Sequence, residues 1–308
     1  MRKLKIAYSR VFNFLIYKYF ELRFKKNKEI LEKNFDNGRF AIEVFSKMGF
    51  GANLIWVLEI LAFCEEKNLT PYIKFRNPSK RVGATSFSEI IKVQPENCES
   101  ATIKYVVIRK FSELNLPNPW DYNARLTIER ANFLVKKYIK LNPQILREVN
   151  TFEALNFKGH TVIGIHYRGT DKITEAPAVR YDAVLSVIQQ QIIELKKELK
   201  FFIASDDQGF VDFVRKNIPE SALIIRSLKR SGNGKPIHIS FKNYRAVNRE
   251  ALIDCLLLSK CSKLYKTASI LSGCSVIFNP QLKVEMLNEP YPEYRFFPEK
   301  FLISKPKI

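Results

Sequence analysis

Short apolar runs alternate with longer amphipathic segments along most of this chain, once over residues 39–140 and again over residues 160–278. Short runs rich in β-branched and aromatic residues predict strands, and the longer segments have the spacing of helices with one buried face. The first set predicts strands 40–45, 71–75 and 104–109 and helices 52–67 and 122–140. The second predicts strands 161–166, 201–205, 223–225, 263–267 and 276–278 and helices 181–199, 208–217 and 248–261.

Strands that alternate with helices of ten or more residues favour right-handed βαβ units and parallel sheets. The chain has 308 residues, and a single hydrophobic core usually stops growing at about 250–300 residues. We therefore predict an α/β fold with two Rossmann-like parallel-sheet domains that face a cleft. The expected parts are an N-terminal segment 1–30, domains 31–155 and 156–285, and a packed, mostly irregular tail 286–308.

Charge adds a constraint on partners. The sequence has 51 Lys plus Arg and 31 Asp plus Glu, a formal net charge of +20. Such an excess attracts polyanions such as nucleic acid, anionic lipid or phosphate-bearing substrates, although lysine-rich composition alone can also produce it. No basic–aromatic pattern of a known nucleic-acid module is present, so nucleic acid is not an expected partner.

The first 30 residues mix aromatic and basic side chains, and their pattern does not predict a cleavable secretion signal. This composition suits a helix that lies on an anionic membrane surface and contacts it through residues 1–28. The alternative is a helix packed on the body of the protein. Apolar runs do not reach the ~18–20 residues of a membrane span. We therefore expect a cytoplasmic protein. If the N-terminal helix binds lipid, the protein would be peripherally associated with the inner face of the cell membrane.

Cysteine and histidine are scattered. The five cysteines form no C-x-x-C pair and the three histidines are far apart, so the sequence predicts a reducing compartment and no metal site.

A dense polar cluster directly follows the apolar strand 161–166. It places His166, Arg168, Asp171 and Lys172 within seven residues. Ligands of open parallel sheets bind beyond the carboxyl ends of the strands, and buried charges at such a place need a partner or water. The cluster therefore indicates a functional site, the alternative being a surface loop with an internal Arg–Asp pair.

Two further predicted strand ends should face the same crevice. Asp206 and Asp207 follow strand 201–205, and Thr267 and Ser269 lie at the end of strand 263–267. A nucleoside diphosphate fits this set, because a guanidinium can bind phosphate oxygens bidentately and hydroxyls and backbone amides at 267–270 can complete a cradle at a helix start.

Four motif blocks follow one another in the sequence: Gly49-Phe-Gly51 with Asn53; His166-Tyr-Arg168-Gly-Thr-Asp171-Lys172 with Thr174-Glu175-Ala176; Ile203-Ala-Ser-Asp206-Asp207; and Arg249-Glu-Ala-Leu-Ile-Asp254-Cys-Leu-Leu-Leu-Ser259 running into Thr267-Ala-Ser269. Their order and spacing resemble the GT-B fucosyltransferases, the family of the bacterial nodulation fucosyltransferase and the core α1,6-fucosyltransferase. Two departures stand out: Gly169 replaces the second arginine of the H-x-R-R-T-D-K motif, and the segment between Lys172 and Glu175 is one residue shorter.

The resemblance implies a GT-B fold and an inverting, metal-independent glycosyltransferase in polysaccharide biosynthesis. It would transfer fucose from GDP-fucose to a glycan of a surface polysaccharide or a lipid-linked saccharide, with no cofactor beyond the GDP-sugar donor. One alternative is a transferase for another GDP-sugar, such as a heptose or another deoxyhexose. Another is a non-catalytic glycan- or nucleic-acid-binding protein.

Three catalytic roles follow from residue chemistry beside the resemblance. Arg168 would stabilise the charge that develops on the departing diphosphate. Glu175 would accept the acceptor proton, and Lys172 would orient it. A solvated loop carboxylate is the alternative for Glu175, with Asp171 or Asp206 as the base instead.

The remaining predicted residues bind the donor. His166 would contact the nucleotide, and Asp254 would accept hydrogen bonds from the edge of guanine. For Asp254, the alternative is an ion pair with Arg249. The donor-binding set is completed by Arg168, Asp206, Arg249, Thr267, Ser269, Gly49, Gly51 and Asn53.

Overall fold

The computed structural model describes residues 38–45, 49–76, 90–96, 106–108, 125–169, 174–195, 199–228, 230–232 and 244–303. The basic segment 1–30 and two residues of the polar cluster, Asp171 and Lys172, lie outside this part. In chain order its strands are β1 (Arg39–Phe45), β2 (Thr70–Arg76), β3 (Ile91–Val93), β4 (Val106–Ile108), β5 (Ile139–Leu141), β6 (Thr161–Tyr167), β7 (Leu199–Ser205), β8 (Leu223–Ile225), β9 (Lys263–Lys266) and β10 (Lys283–Met286).

The helices connect these strands as the alternating pattern predicts. They are α1 (Phe50–Glu66), α2 (Ile128–Tyr138), α3 (Pro143–Asn156), α4 (Tyr181–Leu195), α5 (Gln208–Asn217), α6 (Tyr244–Ser259) and two short turns of helix, α7 (Ile270–Gly273) and α8 (Ser275–Phe278). None of the helices in the described ranges has the length and hydropathy of a membrane-spanning segment.

Two parallel sheets confirm the α/β prediction. The first has the strand order β2-β1-β4, and the second has the order β10-β9-β6-β7-β8. All strand pairs in both sheets are parallel. A small antiparallel pair, β3 with β5, accompanies them. The proposed boundaries at residues 30, 155 and 285 stay predictions.

In the second sheet, alternate residues of each strand enter different hydrophobic clusters. Ile163, Ile165, Phe201 and Ile203 pack with α4 and α5 on one face. On the other face, residues of β6, β7, β8 and β9 join α6 and extend into a cluster that also contains the buried faces of α1, α2 and α3. We call this second group the shared cluster, because it is continuous between the two sheets.

Three predicted elements differ from the structure. The helix predicted over 122–140 is α2, which ends at Tyr138, because residues 139–141 pair with β3 instead. The predicted strand 276–278 is wrong, since these residues lie in α8, where the Ser275 hydroxyl donates to the Cys255 carbonyl of α6 over 3.0 Å. The last strand of the sheet is β10, which was not predicted, and helix α3 spans the predicted boundary between residues 155 and 156.

Candidate functional site

The order of the second sheet reverses at β6. Strands β7 and β8 extend from one side of β6, and β9 and β10 extend from the other. A crevice opens beyond the carboxyl ends of strands at such a switch point, and this is where open α/β sheets bind ligands. The two loops at this point are tied together: the Arg168 amide donates to the Thr267 hydroxyl over 2.9 Å, and the Thr267 amide donates to the His166 carbonyl over 3.0 Å.

Arg168 also faces the loop that follows β7. Its Nε lies 3.8 Å from Oδ2 of Asp206, and the two side chains are 17% and 16% exposed. The structure therefore brings the predicted phosphate ligand and a carboxylate together at the edge of the crevice. Both are largely screened from water, so the charge of Arg168 acts more strongly on a bound anion than a surface arginine would.

His166 lies at the same switch point with its imidazole buried. Burial lowers its pKa well below the usual value, and the positive charges of Lys266 and Arg168 lower it further. The imidazole is therefore neutral at physiological pH. Within the part of the chain that the structure describes, Nδ1 of His166 is buried and has no hydrogen-bond partner, which is unusual for a buried polar atom and marks this ring nitrogen as a candidate contact for a bound molecule.

The backbone after β9 is already bonded within the protein. The Thr267 amide donates to the His166 carbonyl, the Ala268 amide donates to Asn288 Oδ1 over 2.7 Å, and the Ser269 amide donates to Glu299 Oε1. Three of the four backbone amides predicted for a phosphate cradle, those of residues 267–269, are therefore already occupied within the protein, and the cradle stays a prediction for the amide of Ile270. Thr267 and Ser269 are themselves buried, and they contribute by shaping the loop.

The first motif block meets this loop. A Cβ on Gly51 would lie 3.2 Å from both Ile270 Cγ2 and the Leu271 amide nitrogen. The start of α1 therefore packs tightly against the start of α7, and glycine permits this approach. Gly49 is exposed just before α1, and Asn53 is buried one turn further along the helix.

Asp254, which we predicted to bind guanine, and Arg249, which we also predicted to bind the donor, belong to one ionic network. Arg226, which follows β8, donates to Asp254 Oδ1 over 2.6 Å and also bonds Glu250. Arg249 bonds Glu250 and Glu148. The alternative of an Asp254–Arg249 pair is therefore wrong, because Arg226 is the partner. Burial raises the pKa of Asp254, and Arg226 offsets this effect only in part.

Glu175 lies beside the crevice. Its carbonyl accepts from the Tyr291 amide over 2.8 Å, and the next residue, Ala176, lines a small cavity with Arg168 and Thr267. The structure therefore brings the backbone of the predicted base to the site of Arg168. Its predicted companion, Lys172, lies outside the described residues.

A larger cavity of about 530 Å³ lies at the other end of β6, between Glu153, His160 and Lys260. It opens at the amino ends of the strands, where open α/β sheets do not place their ligands. Lys260 and Glu153 also form an ion pair across it, with 2.6 Å between Nζ and Oε2. We therefore place the functional site at the carboxyl ends.

Steric crowding explains why position 169 is a glycine. A Cβ at this position would lie 2.5 Å from Cε1 of Tyr167 and 2.7 Å from Oδ2 of Asp207. Neither neighbour can move easily, since Tyr167 stacks on Phe210 at 4.2 Å and donates to the Val179 carbonyl. An arginine, as found at this position in the resembled motif, does not fit here.

Replacing Gly169 with alanine is expected to destabilise the protein by about 1–3 kcal/mol, the usual cost of forcing an extra carbon into a packed site. Thermal unfolding of the variant measures this loss. Gly232→Ala is the matched control, because nothing lies within 4 Å of a Cβ at Gly232. Equal melting temperatures for the two variants would contradict the steric argument.

Several contacts at the site were not predicted. Asp207 caps α5 by accepting from the Gly209 amide and also accepts from the Tyr181 hydroxyl over 2.6 Å. Lys266 and Glu299 form a buried ion pair beside His166. A lysine that ends an apolar strand was a visible signal for this pair, whereas nothing in the sequence pattern marks Glu299 as its partner.

Among the described residues, no group of three or more His, Cys, Asp or Glu side chains could hold a metal ion. Metal independence of the reaction stays a prediction.

No family model matches the sequence, and no curated protein matches it. Solved structures do match. The fucosyltransferase NodZ from Bradyrhizobium is 17% identical, with a TM-score of 0.49, over 79% of this chain and 94% of that chain. A NodZ alpha-1,6-fucosyltransferase soaked with GDP-fucose is 19% identical, with a TM-score of 0.49, over 78% and 93%. A point mutant of Arabidopsis thaliana FUT1 in complex with GDP is 12% identical, with a TM-score of 0.48, over 92% and 80%. These structures are fucosyltransferases, the class that the sequence motifs resemble.

Proposed function

We propose that this protein is an inverting glycosyltransferase that transfers fucose from GDP-fucose to a glycan of a surface polysaccharide or a lipid-linked saccharide. The observation that carries the proposal is the meeting of Arg168, His166 and Thr267 at the switch point of the second sheet. A guanidinium and a neutral imidazole at the carboxyl ends of parallel strands are suited to a nucleoside diphosphate. The choice of a GDP-sugar rests on the motif resemblance.

In the proposed reaction, an acceptor hydroxyl oxygen attacks the anomeric carbon of the sugar from the face opposite the diphosphate. The bond between that carbon and the phosphate oxygen breaks, and its electron pair leaves with GDP. Arg168 stabilises the negative charge that grows on the leaving phosphate. Glu175 accepts the proton of the attacking hydroxyl. Because the attack comes from the face opposite the leaving group, this single displacement inverts the anomeric configuration.

Asp254 is the proposed reader of guanine. Arg226 holds one of its oxygens at 2.6 Å, and this contact fixes the orientation of the carboxylate. A carboxylate can accept from both the N1–H and the exocyclic amine of guanine, and uracil lacks this pair of donors. The proposal therefore includes selectivity for a guanine nucleotide.

Thermal unfolding with GDP, UDP, ADP or CMP at equal concentration tests the proposal. GDP is expected to raise the melting temperature most, because selective binding to the native state stabilises it. A shift of about 2.7 kcal/mol in stability is expected at a concentration of 100 times the dissociation constant. Turnover of GDP-fucose against other GDP-sugars then identifies the donor. Equal shifts with GDP and UDP would overturn the proposed base selectivity.

The proposal includes a cytoplasmic protein that binds the inner face of a membrane through residues 1–28. The net charge of +20 supports it, because basic residues are attracted to anionic lipid.

A further inference from the structure

The C-terminal segment 287–303 returns across the carboxyl ends of the second sheet. The Leu287 amide donates to the Lys266 carbonyl over 2.7 Å, and the Tyr291 amide donates to the Glu175 carbonyl over 2.8 Å. Asn288 bridges two loops, since its Oδ1 accepts from the Ala268 amide over 2.7 Å and its Nδ2 donates to the Pro177 carbonyl over 2.6 Å. The segment therefore contacts the loops that carry the proposed base and the proposed phosphate site.

An ion pair anchors this segment inside the protein. Lys266 Nζ bonds Glu299 Oε1, and the two side chains are 0% and 5% exposed. The same carboxylate oxygen accepts from the Ser269 amide. A buried ion pair tolerates the loss of hydration only when its geometry is good and further hydrogen bonds satisfy it. Burial also keeps both charges from touching a ligand in the crevice.

Successive hydrogen bonds lead from this pair to Arg168. Glu299 and Asn288 hold the adjacent amides of Ser269 and Ala268. These bonds fix the loop that carries Thr267, whose hydroxyl accepts from the Arg168 amide over 2.9 Å. The position of the Arg168 backbone therefore depends on the C-terminal segment, although that segment lies more than a hundred residues further along the chain.

We infer that Lys266, Glu299 and Asn288 are positioning residues, which hold the loop 267–269 and, through Thr267, place Arg168 for the donor diphosphate. The inference rests on the proposed function, and it assigns to the C-terminal segment a role in donor binding. Misplacing a binding group by about 1 Å can cost about 10²-fold in rate. Because Lys266 and Glu299 are buried, a change at this pair loosens the loop and affects binding and turnover without removing a ligand contact.

Calorimetric titration with GDP tests the inference, with thermal unfolding of each variant measured alongside. Asn288→Ala removes two hydrogen bonds from a partly exposed side chain and is expected to fold. Its dissociation constant for GDP should rise about tenfold, which corresponds to about 1.4 kcal/mol. Glu289→Gln is the matched control on the same segment, because Glu289 contacts only the exposed Arg295 among the ion pairs described, at 3.4 Å.

The buried pair gives a second test. Glu299→Gln removes the carboxylate charge that faces Lys266 in this pair, and GDP should bind at least about tenfold more weakly. The double variant Lys266→Met with Glu299→Gln should return to within about threefold of the native affinity, because both charges of the pair are removed and the glutamine oxygen still accepts from Ser269.

Variants that melt earlier but bind GDP with the native dissociation constant would show that the segment only stabilises the fold, and would overturn the inference. Native protein that binds none of the nucleotides would instead refute the proposed function, and the inference with it. Native binding that Asn288→Ala and Glu299→Gln weaken, and Glu289→Gln does not, supports both.

Discussion

Replacing Arg168 with alanine is expected to reduce transferase turnover by about 10²–10³-fold, the usual loss when a preorganised group that stabilises developing charge is removed. The side chain is 17% exposed at the switch point of the sheet, so little water is present to replace the lost guanidinium. The dissociation constant for GDP should rise as well, since in the proposed reaction the same group also binds the diphosphate of the product. Single-turnover rates with GDP-fucose and calorimetry with GDP measure the two effects.

A lysine at position 168 separates the contribution of the positive charge from that of the planar guanidinium geometry. Arg168→Lys should recover little activity, because an ammonium group lacks the planar fork that binds two phosphate oxygens. Arg180→Ala is the control, since Arg180 is 84% exposed and pairs only with Asp182 among the ion pairs described. Near-native turnover of the lysine variant would show that another residue binds the phosphates.

Glu175→Gln is expected to lower turnover by about 10²–10⁴-fold, the contribution of a positioned general base. The amide keeps the shape of the side chain and cannot accept the proton. GDP affinity should stay unchanged, because in the proposed reaction the base contacts the acceptor hydroxyl and not the nucleotide. Transfer rates and GDP titration of the same sample measure both quantities.

Asp206→Asn is the comparison for this experiment. Its carboxylate lies 3.8 Å from Arg168, and it is the alternative base on the neighbouring strand. If Asp206→Asn alone removes turnover while Glu175→Gln remains active, the base is Asp206. Loss of turnover in Glu175→Gln alone supports the assigned role.

Local sequence signals predicted the elements that depend on local physics. Helix α5 has its predicted bounds because Asp207 caps its first turn and its apolar residues repeat with helical spacing. The apolar strand β6 was visible for the same kind of reason. Strand β10 was missed because it has only four residues, of which Val284 alone is β-branched. The pairing of β3 with β5 was missed because it joins segments almost 50 residues apart.

The residues of the candidate site also fall into those that local sequence signals predicted and those that they did not. The cluster around Arg168 could be predicted because its charges follow an apolar strand directly, and Gly51 because a glycine turn precedes a helix. The partner of Asp254 could not, since Arg226 comes from a different strand end, 28 residues earlier. The bond between Glu299 and the loop after β9 likewise depends on the path of the irregular C-terminal segment, which no periodicity encodes.

The shared cluster has a mechanical consequence. Apolar side chains of α1, α2 and α6 pack in it without interruption, and a buried hydrogen bond of 2.7 Å joins Asn132 of α2 to the Ile277 carbonyl of α8. Rotation of one sheet away from the other would expose this surface to water at about 25 cal/mol for each Å². A hinge movement that separates the helices of this cluster is therefore costly, and the cluster favours a fixed relation between α1, α2 and α6.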